Sequence, residues 1–323
     1  MRKMGITDIL FSIFFVDMMA LMLIGTTTLI NNSLTRPLFA GTLNGRSVYV
    51  SNAFYYFYYP PKGEFGFALP FPFWIGVAVL LILYVIIFSY DLVYEKKDRR
   101  RNPLETPIGF IAGVGSLLYV FSIILVLAQD LIGAPISSSF ITKDEKLIPN
   151  LLYYELIYAP FVEEIEFRII PIGLYLFARY YLQGKNFKWY EVFLFPGMLM
   201  RRFGRRLDRF DWSAIIITSL LFGFAHYEYG GWSITKIPQA AIVGVGLAIG
   251  FMLFGPFVDI PIHFLFDGAG SIEMLPNLTS AGIPLVILWI ILIFASAIAT
   301  IILAIILYMN RKKERIDPNF IQS

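Results

Sequence analysis

The 323-residue chain is 58% hydrophobic and only 15% charged, with a net charge of +3 and a mean hydropathy of +0.70. An ordinary soluble domain carries about 45–50% apolar and about 25% charged residues. The composition therefore excludes a soluble domain and predicts an all-α, polytopic membrane protein, while the lack of cysteine excludes disulfides and thiolate zinc sites.

In chain order, Met1-Arg2-Lys3-Met4 leads into an apolar stretch too long for a signal-peptide core and without a small-residue cleavage site, so no cleavable signal is expected. The first span is predicted at about 9–30 and contains Asp17. For Asp17 a structural hydrogen bond or a polar pocket is expected rather than catalysis. Residues 31–70 read as a polar loop whose aromatic run, Phe54 to Tyr59, suits the headgroup level. Further spans are predicted at about 73–93 and 108–127, then a charged one at about 148–182. A basic connector at 184–211 follows, its apolar patch 192–200 too short to cross and so interfacial.

The remaining spans fall at about 212–227, 237–254, 257–274 and 283–309, with the seventh expected to be short and interrupted. Gly246 and Gly250 in the sixth have the small-xxx-small spacing that lets another backbone come close. About eight helices enclosing a polar intramembrane cavity are thus expected. They divide into helices 1–3 at 1–145, a membrane core carrying the chemistry at 146–275, and a last helix with its basic tail at 276–323. With eight spans, Arg2/Lys3, the 95–101 cluster, the connector and the tail after Met309 share one side, which the positive-inside rule makes cytoplasmic, both termini included. Basic clusters at span ends point to anionic lipid rather than nucleic acid.

The stretch on which the chemistry turns is Phe161-Val-Glu-Glu-Ile-Glu-Phe-Arg168. Ionisable groups inside a span are costly and mark a functional site by default; an ion-paired structural knot is the alternative. On a helix Glu164 and Arg168 are four apart and face each other. Glu163 points about 100° away, which leaves it available as a base. Glu166 has no assigned role.

The chain has two histidines, both in apolar spans: His226, four residues after Phe222, and His263. Asp259, His263 and Asp267 align at i, i+4 and i+8 if their helix is continuous, a condition Pro261 puts in question. Imidazole and carboxylate are the usual general-base partners near neutral pH. Helix rise brings Glu163 and His226 both to mid-depth, which implies a water-filled cavity.

These residues resemble the intramembrane CAAX prenyl endopeptidases and their bacteriocin-processing relatives (the Ras-converting type II CAAX proteases). The first motif of that family, Glu-Glu-x-x-x-Arg, is matched by Glu163, Glu164 and Arg168, with Phe167 before the arginine. The second, Phe-x-x-x-His, is matched by Phe222 and His226, and the third, His-x-x-x-Asn or Asp, by His263 and Asp267. The resemblance covers roughly 150–270. It implies an all-helical protease whose cavity opens to the cytoplasm and whose substrate is a C-terminal peptide or prenylated protein. It further implies that Glu163 and His226 activate water, that His263 and Asp267 hold the oxyanion, and that Glu164 and Arg168 orient them. CAAX endopeptidases often carry Asn at the last position; Asp267 donates a hydrogen bond only when protonated, and alternatively Asp267 or Asp259 orients His263.

No cofactor is expected. The runner-up is a zinc-dependent intramembrane protease with Glu163, His226 and His263 as ligands, disfavoured by the lack of His-Glu-x-x-His. A transporter or scaffold built on the same buried charges is the non-enzymatic alternative, against which stands the lack of an inverted repeat.

Overall fold

A computed structural model describes residues 5–31, 47–50, 67–70, 82, 85–87, 89, 102–137, 159–228, 231–278 and 282–316. Helix α1 covers Ile6–Asn31. Phe11, Phe14, Phe15 and Met18 recur at helical spacing and are buried, while Ile9, Ile13 and Val16 turn outward. An apolar helix that shows hydrophobic residues on both faces suits a bilayer on the side away from the bundle. The expected all-helical architecture needs one addition. Ser47–Val50 (β1) and Phe67–Pro70 (β2) pair antiparallel, with Val48 opposite Leu69 and Tyr49 opposite Ala68. Val and Tyr are good strand formers, and the pair lies within the segment read as a loop. The aromatic run Phe54–Tyr59, the cluster 95–101 and most of the span at 73–93 lie outside the described residues; 82, 85–87 and 89 of that span are helical.

Helix α2, Pro107–Leu131, opens on a strong start signal. Thr106 caps it by accepting from the Gly109 N–H at 3.0 Å, and Pro107 takes the first helical position, where its missing N–H costs nothing. It winds through a π-helical turn at Phe110–Gly115. Helix α3 runs over 159–182: Ala159–Glu164, a second π-helical turn at Ile165–Ile169, then Ile170–Leu182. The connector folds into two short helices, α4 (Glu191–Leu194) and α5 (Pro196–Arg202). Pro196 cannot continue a preceding helix and separates them. Helix α6 is Arg209–Glu228, α7 Lys236–Phe254, α8 Pro256–Leu278 and α9 Gly282–Ile316.

Three of the described helices are long and apolar enough to cross a membrane: Pro107–Leu131, Lys236–Phe254 and, within α9, Val286–Met309. The expected interruption in the seventh span is absent, because α8 is continuous over 23 residues. Pro261 sits in its second turn, where the ring costs only one backbone hydrogen bond. The Ile260 N–H just before it is taken by the Asp259 side chain at 2.8 Å.

Close approaches between backbones order the bundle. Gly113 of α2 has Thr300 of α9 and Phe11 of α1 against it. Gly246 lies against Leu118, and Gly250 against Phe110 and Val258, so the small residues of α7 do admit neighbouring elements. A methyl placed on Gly197 would overlap the Leu253 carbonyl oxygen, and one on Gly255 would overlap that of Leu194. Gly255 also has φ +85°, a conformation costly for any residue with a Cβ, and it turns α7 directly into α8. These contacts put the start of α2, the end of α7 and the connector at one end of the bundle. A second apolar cluster there, built on Ile172, Leu176, Tyr180, Val192, Leu199, Ile215 and Phe251, fixes the connector to α3, α6 and α7.

Candidate active site

Helices α3 and α8 bring six of the eight sequence-derived candidates into one chain of direct polar contacts, and α6 adds the other two. On α3, Arg168 Nη1 donates to Glu164 Oε1 at 2.8 Å, and both side chains are fully buried. Their i, i+4 pairing survives the π-helical turn beneath them, a device that widens a helix and recurs at functional sites. Across the bundle, His263 Nδ1 lies 2.5 Å from the same Oε1. A carboxylate oxygen accepts, so Nδ1 carries a proton. The other ring nitrogen, Nε2, is 3.1 Å from Asp267 Oδ2 and 3.6 Å from Glu163 Oε2.

Helix α8 lines up Asp259, His263 and Asp267 on one face, and Pro261 does not disturb them. Asp259 is fully buried, and its carboxyl lies against that of Glu164 as well as over the Ile260 N–H. The carboxylate on His263 Nδ1 is thus Glu164, one of the two residues expected to orient the site, and not Asp259, which was the alternative along with Asp267. Asp267 instead shares Nε2 with Glu163. His263 lies seven residues beyond Pro256, about 10 Å along the helix from the connector end.

His226 and Phe222 complete the group through ring packing. The Phe222 ring centroid is 4.6 Å from that of His226 and 5.7 Å from that of His263, both edge-on. Its face carries the Arg168 guanidinium 4.0 Å from the centroid. One buried phenyl ring therefore packs against the arginine and both imidazoles. His226 Nδ1 is 2.9 Å from the Phe222 carbonyl oxygen. A carbonyl only accepts, so this nitrogen is the N–H, and Nε2 keeps its lone pair in the neutral ring.

Sequence reasoning missed Gly244 of α7. A Cβ there would lie 3.1 Å from Arg168 Nη2 and 3.2 Å from Phe222 Cδ1, so the stack of guanidinium on ring depends on a missing side chain. A glycine in an apolar run gave no signal of this, unlike the neighbouring pair at four-residue spacing. Glu166 is buried in the π-helical turn, and Asp17 is buried on α1. Among the described residues no three His, Asp or Glu side chains are gathered in a metal-holding arrangement.

A second polar cluster, also missed, ties α3 to the start of α6. Buried Asp211 accepts from Tyr175 Oη and Arg179 Nη1, both at 2.9 Å, and from Arg205 Nη2 at 2.8 Å. Asp208 pairs with Arg179 as well, and Glu191 pairs with Arg202 at 2.7 Å. Hydrogen bonds from Arg179 hold the Asp208 carboxyl below the usual carboxylate range, and those from Arg202 do the same for Glu191. A depressed folded-state pKa contributes stability that is complete above the unfolded value of about 4 and is lost as pH falls through the folded one. Proteolysis of the connector is therefore expected to be flat from pH 8 to 5 and to rise below about pH 4, with Asp208→Asn showing the low-pH susceptibility already at neutral pH. A cleavage rate in the connector that stays constant into strong acid would contradict these pairings.

With the geometry in view, the class is that of a helical membrane protein bearing a buried carboxylate–imidazole cluster. Residues 146–269 match the model of the Rce1-like family, described as type II CAAX prenyl endopeptidase Rce1-like, a protease family. The match contains every member of the cluster, from Glu163 to Asp267. No curated protein and no solved structure matches the chain.

Proposed function

We propose that the protein is an intramembrane endopeptidase of the CAAX type, cleaving a peptide bond near the C-terminus of a membrane-associated and possibly prenylated protein. In this reading Glu163, with His226 as its partner, takes a proton from a water molecule whose oxygen attacks the scissile carbonyl carbon. The carbonyl oxygen becomes the oxyanion, held by His263 and, when protonated, by Asp267. As the C–N bond breaks, the proton passes to the leaving amine. Glu164 and Arg168 keep His263 in place, and Phe222 spaces the two imidazoles.

One observation carries the proposal: Glu164 is engaged by both Arg168 and His263, while Glu163, one residue away, faces the far nitrogen of that same His263. Two adjacent carboxylates thus have different tasks, a positioning one and one at the edge of the imidazole. The family match over 146–269 supports the substrate class. The cavity is expected to open on the side that bears the connector, as part of the same proposal.

The test is purified protein in bilayers with a farnesylated CAAX peptide and its unprenylated twin, following release of the terminal tripeptide. Cleavage of the farnesylated peptide is expected, with Glu163→Gln reducing turnover by at least about 10²-fold while binding persists. Glu163→Gln retaining wild-type cleavage, or wild-type protein that cleaves neither peptide, counts against the assignment.

A further inference from the structure

The connector between α3 and α6 carries positive charge that its own acids do not balance. Between residues 183 and 212 stand Lys185, Lys188, Arg201, Arg202, Arg205, Arg206 and Arg209, against Glu191, Asp208 and Asp211. Each of these acids is already committed internally, Glu191 to Arg202, Asp208 to Arg179, and Asp211 to Arg179 and Arg205. Lys185, Lys188, Arg206 and Arg209 face outward. Three of them are held at aromatic rings, Lys185 Nζ 5.4 Å from the Phe203 centroid, Lys188 Nζ 5.8 Å from that of Tyr190, and the Arg209 guanidinium 4.8 Å from that of Phe210. A cation placed over a ring keeps its charge while its side chain loses freedom, so the charges are presented rather than left to wander.

The level of this face is fixed by the fold. Gly197 of α5 lies under the Leu253 carbonyl at the last turn of α7, a helix of membrane-crossing length. The connector therefore sits where that helix leaves the hydrocarbon, at headgroup depth. Its outward side also carries large apolar residues, with Trp189 67% and Phe210 55% exposed, beside Leu194 and Met198. Tryptophan at the boundary with neighbouring cations is the arrangement that a headgroup layer accommodates, the rings among the glycerol backbones and the cations at the phosphates.

We propose that this face, formed by Lys185, Lys188, Arg206 and Arg209 with Trp189 and Phe210, is a docking surface for anionic phospholipid headgroups of the bilayer in which the protein sits. Zwitterionic lipid offers a phosphate already paired with its own ammonium, whereas an anionic headgroup leaves the phosphate charge for the connector. The surface selects lipid by charge, and because it is screened over about 10 Å at 0.1 M salt, its preference falls as salt is raised. The inference stands independently of the peptidase reading.

The full chain is reconstituted into nanodiscs of equimolar phosphatidylcholine and phosphatidylglycerol, and the lipids retained on release are identified by mass spectrometry. Roughly five-fold or greater enrichment of phosphatidylglycerol is expected, falling toward parity in the quadruple variant Lys185→Gln, Lys188→Gln, Arg206→Gln, Arg209→Gln. A control with Lys312→Gln and Lys313→Gln in the C-terminal tail should keep the enrichment. In parallel, the fluorescence lost on Trp189→Phe reports Trp189 alone, and it should be quenched more by brominated phosphatidylglycerol than by brominated phosphatidylcholine. Equal retention of the two lipids by the wild type, or enrichment unchanged in the quadruple variant, overturns the proposal. Enrichment abolished by the tail control overturns it too, since the selectivity would then reside elsewhere.

Discussion

His263→Ala is expected to lower kcat by about 10²–10³-fold or more, the loss that follows removal of a single oxyanion donor, with KM changed by no more than a few-fold. The argument begins with the ring's two nitrogens. Nδ1 donates to Glu164 at 2.5 Å, which fixes the ring's direction, and Nε2, facing carboxylate oxygens that accept, carries the second proton and is the donor at the site. Nε2 then lies among the carboxylates of Asp267 and Glu163, at the position where charge develops if Glu163 activates water. A donor needed mainly in the transition state affects kcat and leaves ground-state binding nearly intact. His263→Gln returns a side-chain N–H without the imidazole and should recover part of the loss. Both variants are measured in reconstituted bilayers, beside thermal unfolding to establish that the helices remain packed. Wild-type kcat in His263→Ala would remove this residue from the proposed mechanism.

How far the sequence foretold this arrangement depends on the range of each interaction. Helical spacing alone paired Glu164 with Arg168, and it aligned Asp259, His263 and Asp267 once α8 proved continuous through Pro261. Local rules carry such contacts because the partners are one turn apart. The bond from His263 to Glu164 joins residues 99 apart in sequence, and no spacing rule reaches that far. Gly244 was illegible for a related reason: its role is to be absent from a space filled by residues of α3 and α6. The Tyr175–Arg179–Asp211 cluster was hidden among connector charges that read simply as basic. Hydropathy located the first, third, fifth and sixth predicted spans within a few residues of α1, α2, α6 and α7, and the eighth within a few residues of the apolar part of α9, Val286–Met309. It could not foresee the π-helical turns, which arise from packing rather than from apolar period.

Replacing Arg168 by Met should cost about 3–5 kcal/mol of stability, the penalty for breaking a buried ion pair by removing one partner, with His263 still donating to Glu164. Arg168 and Glu164 have no side-chain exposure, so water cannot take over the lost contact. The guanidinium also lies over the Phe222 ring, 4.0 Å from its centroid, where a desolvated cation–π contact contributes about 2 kcal/mol. Arg168→Lys keeps the charge but neither the planar stacking nor the fork of donors, and should fall between Met and the wild type. The double variant Arg168→Met, Glu164→Leu removes both charges. It should regain much of the stability, because a buried pair replaced by apolar groups of similar volume is often neutral or better. Activity should not return with it, since His263 loses the carboxylate that holds Nδ1. Unfolding in mixed micelles measures the first quantity and peptide turnover the second. If Arg168→Met unfolds like the wild type, the guanidinium does not neutralise Glu164. If the double variant regains full turnover, Glu164 does not position His263, and the division of labour between the two adjacent glutamates fails with it.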